Sequence, residues 1–278
     1  MIKITTQIIT FLGFIFLISG CTTEGQASPD DTLHTETEID SPKQSEEKPD
    51  SEPKAKENSS QTEMQDNGEL TEEEVLAEIK KQIDTKLTIV LPDSIPLDEG
   101  EHLTAATTSE DDRYTVTFFA SQDPIPINNK QLNDSEAARK IASLTVQEYS
   151  TQEQADEEIA YEDFKENGGN KVDLGYEMTG YQDAGAGSLW TGWNEGRWAL
   201  TTHTYTDEAD SGEKLARNTV KFLENHSLPL PIPEEHGFVH LDATGNDQQI
   251  VWQKEKVVYQ LDQIADSIIG LKIATSFE

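Results

Sequence analysis

Leu189-Trp190-Thr191-Gly192-Trp193-Asn194-Glu195-Gly196-Arg197-Trp198-Ala199-Leu200-Thr201-Thr202-His203-Thr204 reads as two strands around a tight turn. Asn194 to Arg197 supplies the reversal, and aromatic, β-branched and apolar side chains fill both arms. Gly180, Gly185 and Gly187 predict a loop leading into it. Near the C-terminus Trp252 and Tyr259 flank a second turn at Gln253–Lys256, between Ile250–Trp252 and Val257–Leu261. A helical pattern follows each hairpin: Leu215, Ala216, Val220 and Leu223 after Asp210-Ser211-Gly212-Glu213, then Gln263–Ile269. Two hairpin-plus-helix units predict an α+β fold, an antiparallel sheet built from β-hairpins with helices covering one face. They also suggest two similar halves within one folded domain, residues 70–278.

Thr71-Glu72-Glu73-Glu74 fits a capping box. Val75, Leu76, Ile79 and Ile83 carry the predicted helix to Thr85. Leu103–Thr108 and Arg113–Ala120 read as strands about a turn at Ser109–Asp112. Asp134–Ile141 is expected to be a short helix and Ser143–Tyr149 a strand. A longer helix is expected from Thr151 to Asn167, ended by Gly168-Gly169, and Val172–Met178 alternates as a strand. Leu228-Pro229-Leu230-Pro231-Ile232-Pro233 reads as an extended connector, and Phe238–Leu241 as a strand.

Ahead of this domain, Thr22 to Glu69 holds 14 acidic and 4 basic residues, with Leu33, Ile39 and Met64 as its only large apolar side chains. Such a segment buries too little to offset its ordering entropy, which predicts a disordered acidic spacer. A flexible chain of that length reaches about 40 Å on average.

The first 21 residues have the parts of an export signal: Lys3, an apolar run Ile8–Ile18, then Leu17-Ile18-Ser19-Gly20-Cys21. The run is too short to span a membrane. Leu17 to Cys21 resembles the lipobox of bacterial, Gram-positive-type lipoproteins. The resemblance implies a signal peptide over residues 1–20 and a diacylglyceryl group on Cys21, leaving the protein at the cell membrane and facing away from the cytoplasm. Two acyl chains suffice for stable anchoring. Cys21 is the single cysteine, so no disulfide framework and no cysteine nucleophile remain for the domain. The ending Trp252…Val258-Tyr259…Ala265-Asp266-Ser267-Ile268 is loosely similar to uncharacterised domains of other Gram-positive membrane-anchored proteins, a likeness that carries no function.

Asp and Glu number 54 against 21 Lys and Arg, a formal charge of −33. That balance excludes nucleic acid, whose binding requires neutralised phosphates. Cations, basic peptides and neutral sugars are the partners it favours. Trp190, Trp193 and Trp198 are candidate ligand-binding residues, since indole faces stack on sugars; the competing reading makes them cross-strand core pairs. Of the three, Trp190, on the glycine-flanked side, is expected to be the exposed one.

His236 and His240, with Glu234, Glu235 and Asp242, form the nearest approach to a metal cluster. On a strand the two histidines would stand about 13 Å apart, so no metal and no cofactor are expected. Asp207, Glu208 and Asp210 lack the ligand series of a calcium loop, and Asp210 fits a helix cap instead. Gly-x-Ser-x-Gly, His-Glu-x-x-His and a phosphate-cradling Gly-Lys-Ser/Thr are all missing from the chain. Carboxylate pairs abound, and none stands out. The expected function is therefore a non-catalytic binding or envelope-support role for a membrane-anchored lipoprotein. Its partners would be the membrane through the lipid, and a cell-wall glycan or another envelope protein. The alternatives are a wall glycan hydrolase using paired carboxylates and a solute-binding lipoprotein of a transporter.

Overall fold

Thr71 opens the first helix, α1 (Glu72–Lys81), with a complete capping box: its hydroxyl accepts the Glu74 N–H, and the Glu74 carboxylate accepts the Thr71 N–H at 2.9 Å. The helix stops short of Thr85 because the next residues bond elsewhere. Asp84 N–H reaches the Ser109 hydroxyl and the Thr85 hydroxyl reaches the Asp111 carbonyl, each at 3.1 Å. The computed structural model describes residues 70–229 and 235–277. Cys21, the signal segment, the spacer up to Glu69 and most of the proline-rich connector lie outside the described residues.

Strands β1 (His102–Ser109) and β2 (Arg113–Ser121) follow, joined by the turn the sequence predicts. The expected helix at Asp134–Ile141 does not form. A 3-10 turn covers Lys130–Asn133, and Arg139 onward belongs to β3 (Arg139–Glu148). Pairing with β2 satisfies that backbone and buries Ile141 and Ala142 completely. The helix expected over 151–167 is two short pieces, α2 (Gln152–Asp156) and α3 (Phe164–Asn167). Asp163 starts the second afresh, its carboxylate accepting from Lys165 N–H and Glu166 N–H.

Two further expectations change in the next segment. Tyr176 and Glu177, at φ of 52° and 64°, break the expected strand into β4 (Asn170–Gly175) and β5 (Met178–Gly185). Left-handed conformations at both central residues are what a tight hairpin turn requires. Of the glycines expected to loosen a loop, Gly180 and Gly185 lie in β5, where Gly180 is packed under Val172 and Leu174, and Gly187 sits in the tight turn that follows. The sequence then runs β6 (Ser188–Glu195), β7 (Trp198–Tyr205), α4 (Ala209–Leu223), β8 (Gly237–Asp242), β9 (Gln249–Lys254), β10 (Val257–Asp262) and α5 (Ser267–Ala274). Asp210 lies inside the first turn of α4 and is not its cap, whereas Asp266 caps α5 by accepting from Ile268 and Ile269 N–H.

The ten strands form one sheet in the order β1-β2-β3-β10-β9-β8-β7-β6-β5-β4. All neighbours are antiparallel except β7 and β8. Helix α4 carries the chain from the end of β7 back to the start of β8, which makes that pair parallel. The two hairpin-plus-helix units are both present, as β6-β7-α4 and β9-β10-α5, and they share the one sheet. Trp193, Trp198, Leu200, Val239, Leu241, Ile250, Tyr259 and Leu261 pack with Val75, Ile79, Ala216, Val220 and Leu271 in the main core. The opposite face of the sheet is more polar, and there Ala155 and Ile159 pack on Val251 and Val258. Among the described residues no helix is long and apolar enough to cross a membrane.

Candidate functional site

Side chains alternate along a strand, so the register divides the central residues between the two faces. Trp193 pairs with Leu200 and turns into the main core. Trp190 pairs with His203, and Thr201 with both Gly192 and His240, on the polar face. The three tryptophans accordingly do not form one platform. Trp193 is 0% exposed and Trp198 4%, while Trp190 is 43% exposed. Trp198 also donates its indole N–H to the Pro229 carbonyl at 3.1 Å.

A cleft of about 650 Å³ opens on the polar face, between the sheet and residues 160–169. Trp190, Tyr181, Phe164 and Phe238 wall it; Thr201, His240 and Gln249 line its sheet side, with Asp183 and Glu162 at its margins. A larger groove of about 930 Å³ beside α1 has no Trp, Tyr or Phe in its lining. Aromatic walls with a few converging polar groups are the usual makings of a small-ligand site.

One side chain of the sheet hydrogen-bonds the overlying segment twice. Asn194 accepts the Phe164 N–H at 3.0 Å and donates to the Glu162 carbonyl at 2.7 Å. Gly192 leaves room beneath it: a Cβ there would stand 2.4 Å from the Phe164 ring. Trp190 is propped from below, its ring centroid 4.4 Å from that of His203 and 5.3 Å from that of His240.

His203 is itself held on both sides. Nδ1 lies 2.8 Å from Asp242 Oδ2 and Nε2 lies 3.0 Å from the Ser188 hydroxyl. The other oxygen of Asp242 accepts from Thr244 N–H at 2.7 Å and from the Thr244 hydroxyl at 2.6 Å. Burial works to raise the Asp242 carboxyl, but the hydrogen bonds from Thr244 and His203 outweigh it and hold the group below its ordinary range. Asp242 is thus ionised and can only accept, which places the Nδ1 proton of His203 toward it. Next to this ladder His240 shares a 2.9 Å hydrogen bond with the Thr201 hydroxyl, and burial lowers its proton affinity, with Asp242 opposing.

His236 and His240 do not converge. His236 packs on Tyr161, with ring centroids 4.0 Å apart, and its Nδ1 lies 3.9 Å from Asp156. Among the described residues no group of three or more His, Cys, Asp or Glu is placed to hold a metal ion. Sequence reasoning missed Tyr181, Phe164 and Asn194, and it missed Ser188 and His203 altogether. The one available signal was the alternation Thr201, His203, Tyr205 opposite Trp198, Leu200 within a single strand. No family model, curated protein or solved structure matches the chain, and what the cleft does has to follow from its own residues.

Proposed function

We propose that the protein is a membrane-anchored, extracytoplasmic lipoprotein whose polar-face cleft binds a neutral glycan. The observation that carries the binding reading is Trp190: a large indole left exposed at the mouth of a cleft while its two neighbours in the hairpin are buried. An exposed aromatic face backed by two imidazoles stacks on the C–H face of a sugar. Thr201, Gln249, Asp183 and Glu162 supply hydroxyl partners around it.

In this reading α1, α4 and α5 cover one face of the sheet and leave the opposite face for the ligand. The formal charge of −33 disfavours anionic ligands and leaves neutral sugars unopposed. The anchor rests on Lys3, the apolar run and Cys21, and the acidic segment from Thr22 to Glu69 would set the domain out toward the wall layer.

Titration of the full chain with tri-N-acetylchitotriose, followed by tryptophan emission, tests the binding. A saturable change that disappears in Trp190→Ala, with an unchanged melting temperature, is the expected result. Wild-type protein that gives no saturable change up to about millimolar sugar, a weak-binding ceiling near −4 kcal/mol, would refute it.

A further inference from the structure

We propose that Ser188, His203 and Asp242 form an acyl-transfer site that cleaves esters of sugar hydroxyls beside Trp190. The acyl transfer stands on its own geometry. That the alcohol is a sugar rests on the glycan reading of the cleft.

The three residues come from the ends of adjacent strands. Ser188 begins β6, His203 lies near the end of β7 and Asp242 closes β8, all on the polar face. Their hydrogen bonds run in the order a nucleophile, a base and its orienting carboxylate require, at 3.0 Å and 2.8 Å. The tautomer follows from the chemistry of the groups. Asp242 is an acceptor only, so neutral His203 carries its proton on Nδ1 and its Nε2 accepts the Ser188 O–H. Asp242 is kept from turning by Thr244, which donates twice to its other oxygen. Both ring nitrogens of His203 are engaged and the ring is flanked by Trp190 and Tyr205, with centroids 4.4 and 5.7 Å away.

The approach to Ser188 is open. It is partly exposed, Tyr205 directly across the strand pair is 53% exposed and Trp190 is 43% exposed. The seryl oxygen attacks the ester carbonyl carbon as its proton passes to His203 Nε2. Collapse breaks the carbonyl carbon–oxygen bond, and the leaving alkoxide takes that proton from His203, giving a free alcohol and an acylated Ser188. Water then gives a proton to His203 Nε2 and attacks the acyl carbon. The second collapse returns the proton to Ser188 and releases the carboxylic acid. Ester and water become alcohol and acid, with no oxidant, reductant or metal required.

The test uses the full chain purified in mild detergent, with a fluorophosphonate probe and p-nitrophenyl acetate. A fluorophosphonate adduct mapped to Ser188 is expected. Ester turnover should fall about 10²-fold or more in Ser188→Ala and in Asp242→Asn. Ser188→Ala removes one hydroxyl from a strand end, so its melting temperature should not change. A chain that takes no label at Ser188 and turns over ester equally in wild type and Ser188→Ala overturns the proposal. Ser188-dependent turnover in a chain that ignores the trisaccharide would keep the acyl transfer and remove the sugar as its alcohol.

Discussion

Asn194 ties Phe164 to the sheet: the Phe164 N–H donates to its side-chain carbonyl at 3.0 Å, and its amide donates to the Glu162 carbonyl two residues earlier at 2.7 Å. One side chain therefore bonds the outer wall of the cleft at two points. Asn194→Ala removes both bonds and leaves two backbone groups to find water, a cost of about 1–3 kcal/mol. The loss should be local. Hydrogen exchange is expected to quicken at residues 160–169 while β6 and β7 keep their protection. Unchanged exchange there would mean that Phe164 packing on Gly192 holds the segment without Asn194.

Trp198 and Trp190 should respond oppositely to the same truncation. Trp198 fills the space that a side chain at Gly237 would need, with a Cβ there 2.4 Å from its ring. Trp198→Ala empties a core position and is expected to cost about 3–5 kcal/mol. Trp190→Ala removes a half-exposed ring and should change stability by about 0.5 kcal/mol or less. Urea midpoints of the two variants decide it, and a Trp198→Ala midpoint close to wild type would remove Trp198 from the core.

Cys21→Ala should abolish lipid attachment. Metabolic labelling with a fatty-acid analogue is expected to mark the wild-type chain and to miss the variant, which would run as a longer precursor. Equal labelling of both would end the lipoprotein reading.

The hairpins were legible because strand alternation is a local property. Trp193 and Trp198 lie on one face and Trp190 on the other by period two alone, and the Glu195–Trp198 pairing closes where the glycine turn predicts. What failed was also local, but ambiguous. Ile141 and Ala142 suit a helix or a strand equally, and only the neighbouring β2 decides between them. Tyr176 and Glu177 occupy the centre of a tight turn where glycine or asparagine is usual, and the adjacent Gly175, at φ of 86°, is its mark in the sequence. The site is a different matter. Ser188 meets His203 by a diagonal across β6 and β7. Asp242 reaches His203 only because the α4 crossover sets β8 parallel to β7, with His203 and Asp242 in register. No pattern within a short window encodes that meeting.

The histidine and carboxylate of the polar face should also shape the response to acid. Burial lowers His240 from its ordinary value of 6.5; Asp242 opposes that shift, His203 adds to it and Asp247 opposes it weakly. Just below pH 6.5 the unfolded chain takes up a proton at this site that the folded protein refuses, so acidification favours unfolding. The stability linked to His240 is therefore present above 6.5 and lost as pH falls toward its folded value. Asp242, lowered from 3.8, acts in the same direction in a lower window, losing its contribution only as pH falls through and below 3.8. Glu101 adds to that lower window, whereas Glu195 and Asp262, raised by burial, oppose it. Melting temperature should thus begin to drop between about pH 7 and 5, the range in which histidine titrates. His240→Gln should flatten that first decline and leave the steeper loss at lower pH in place. Parallel curves for wild type and His240→Gln across the first range would show that His240 titrates as freely in the fold as in the unfolded chain.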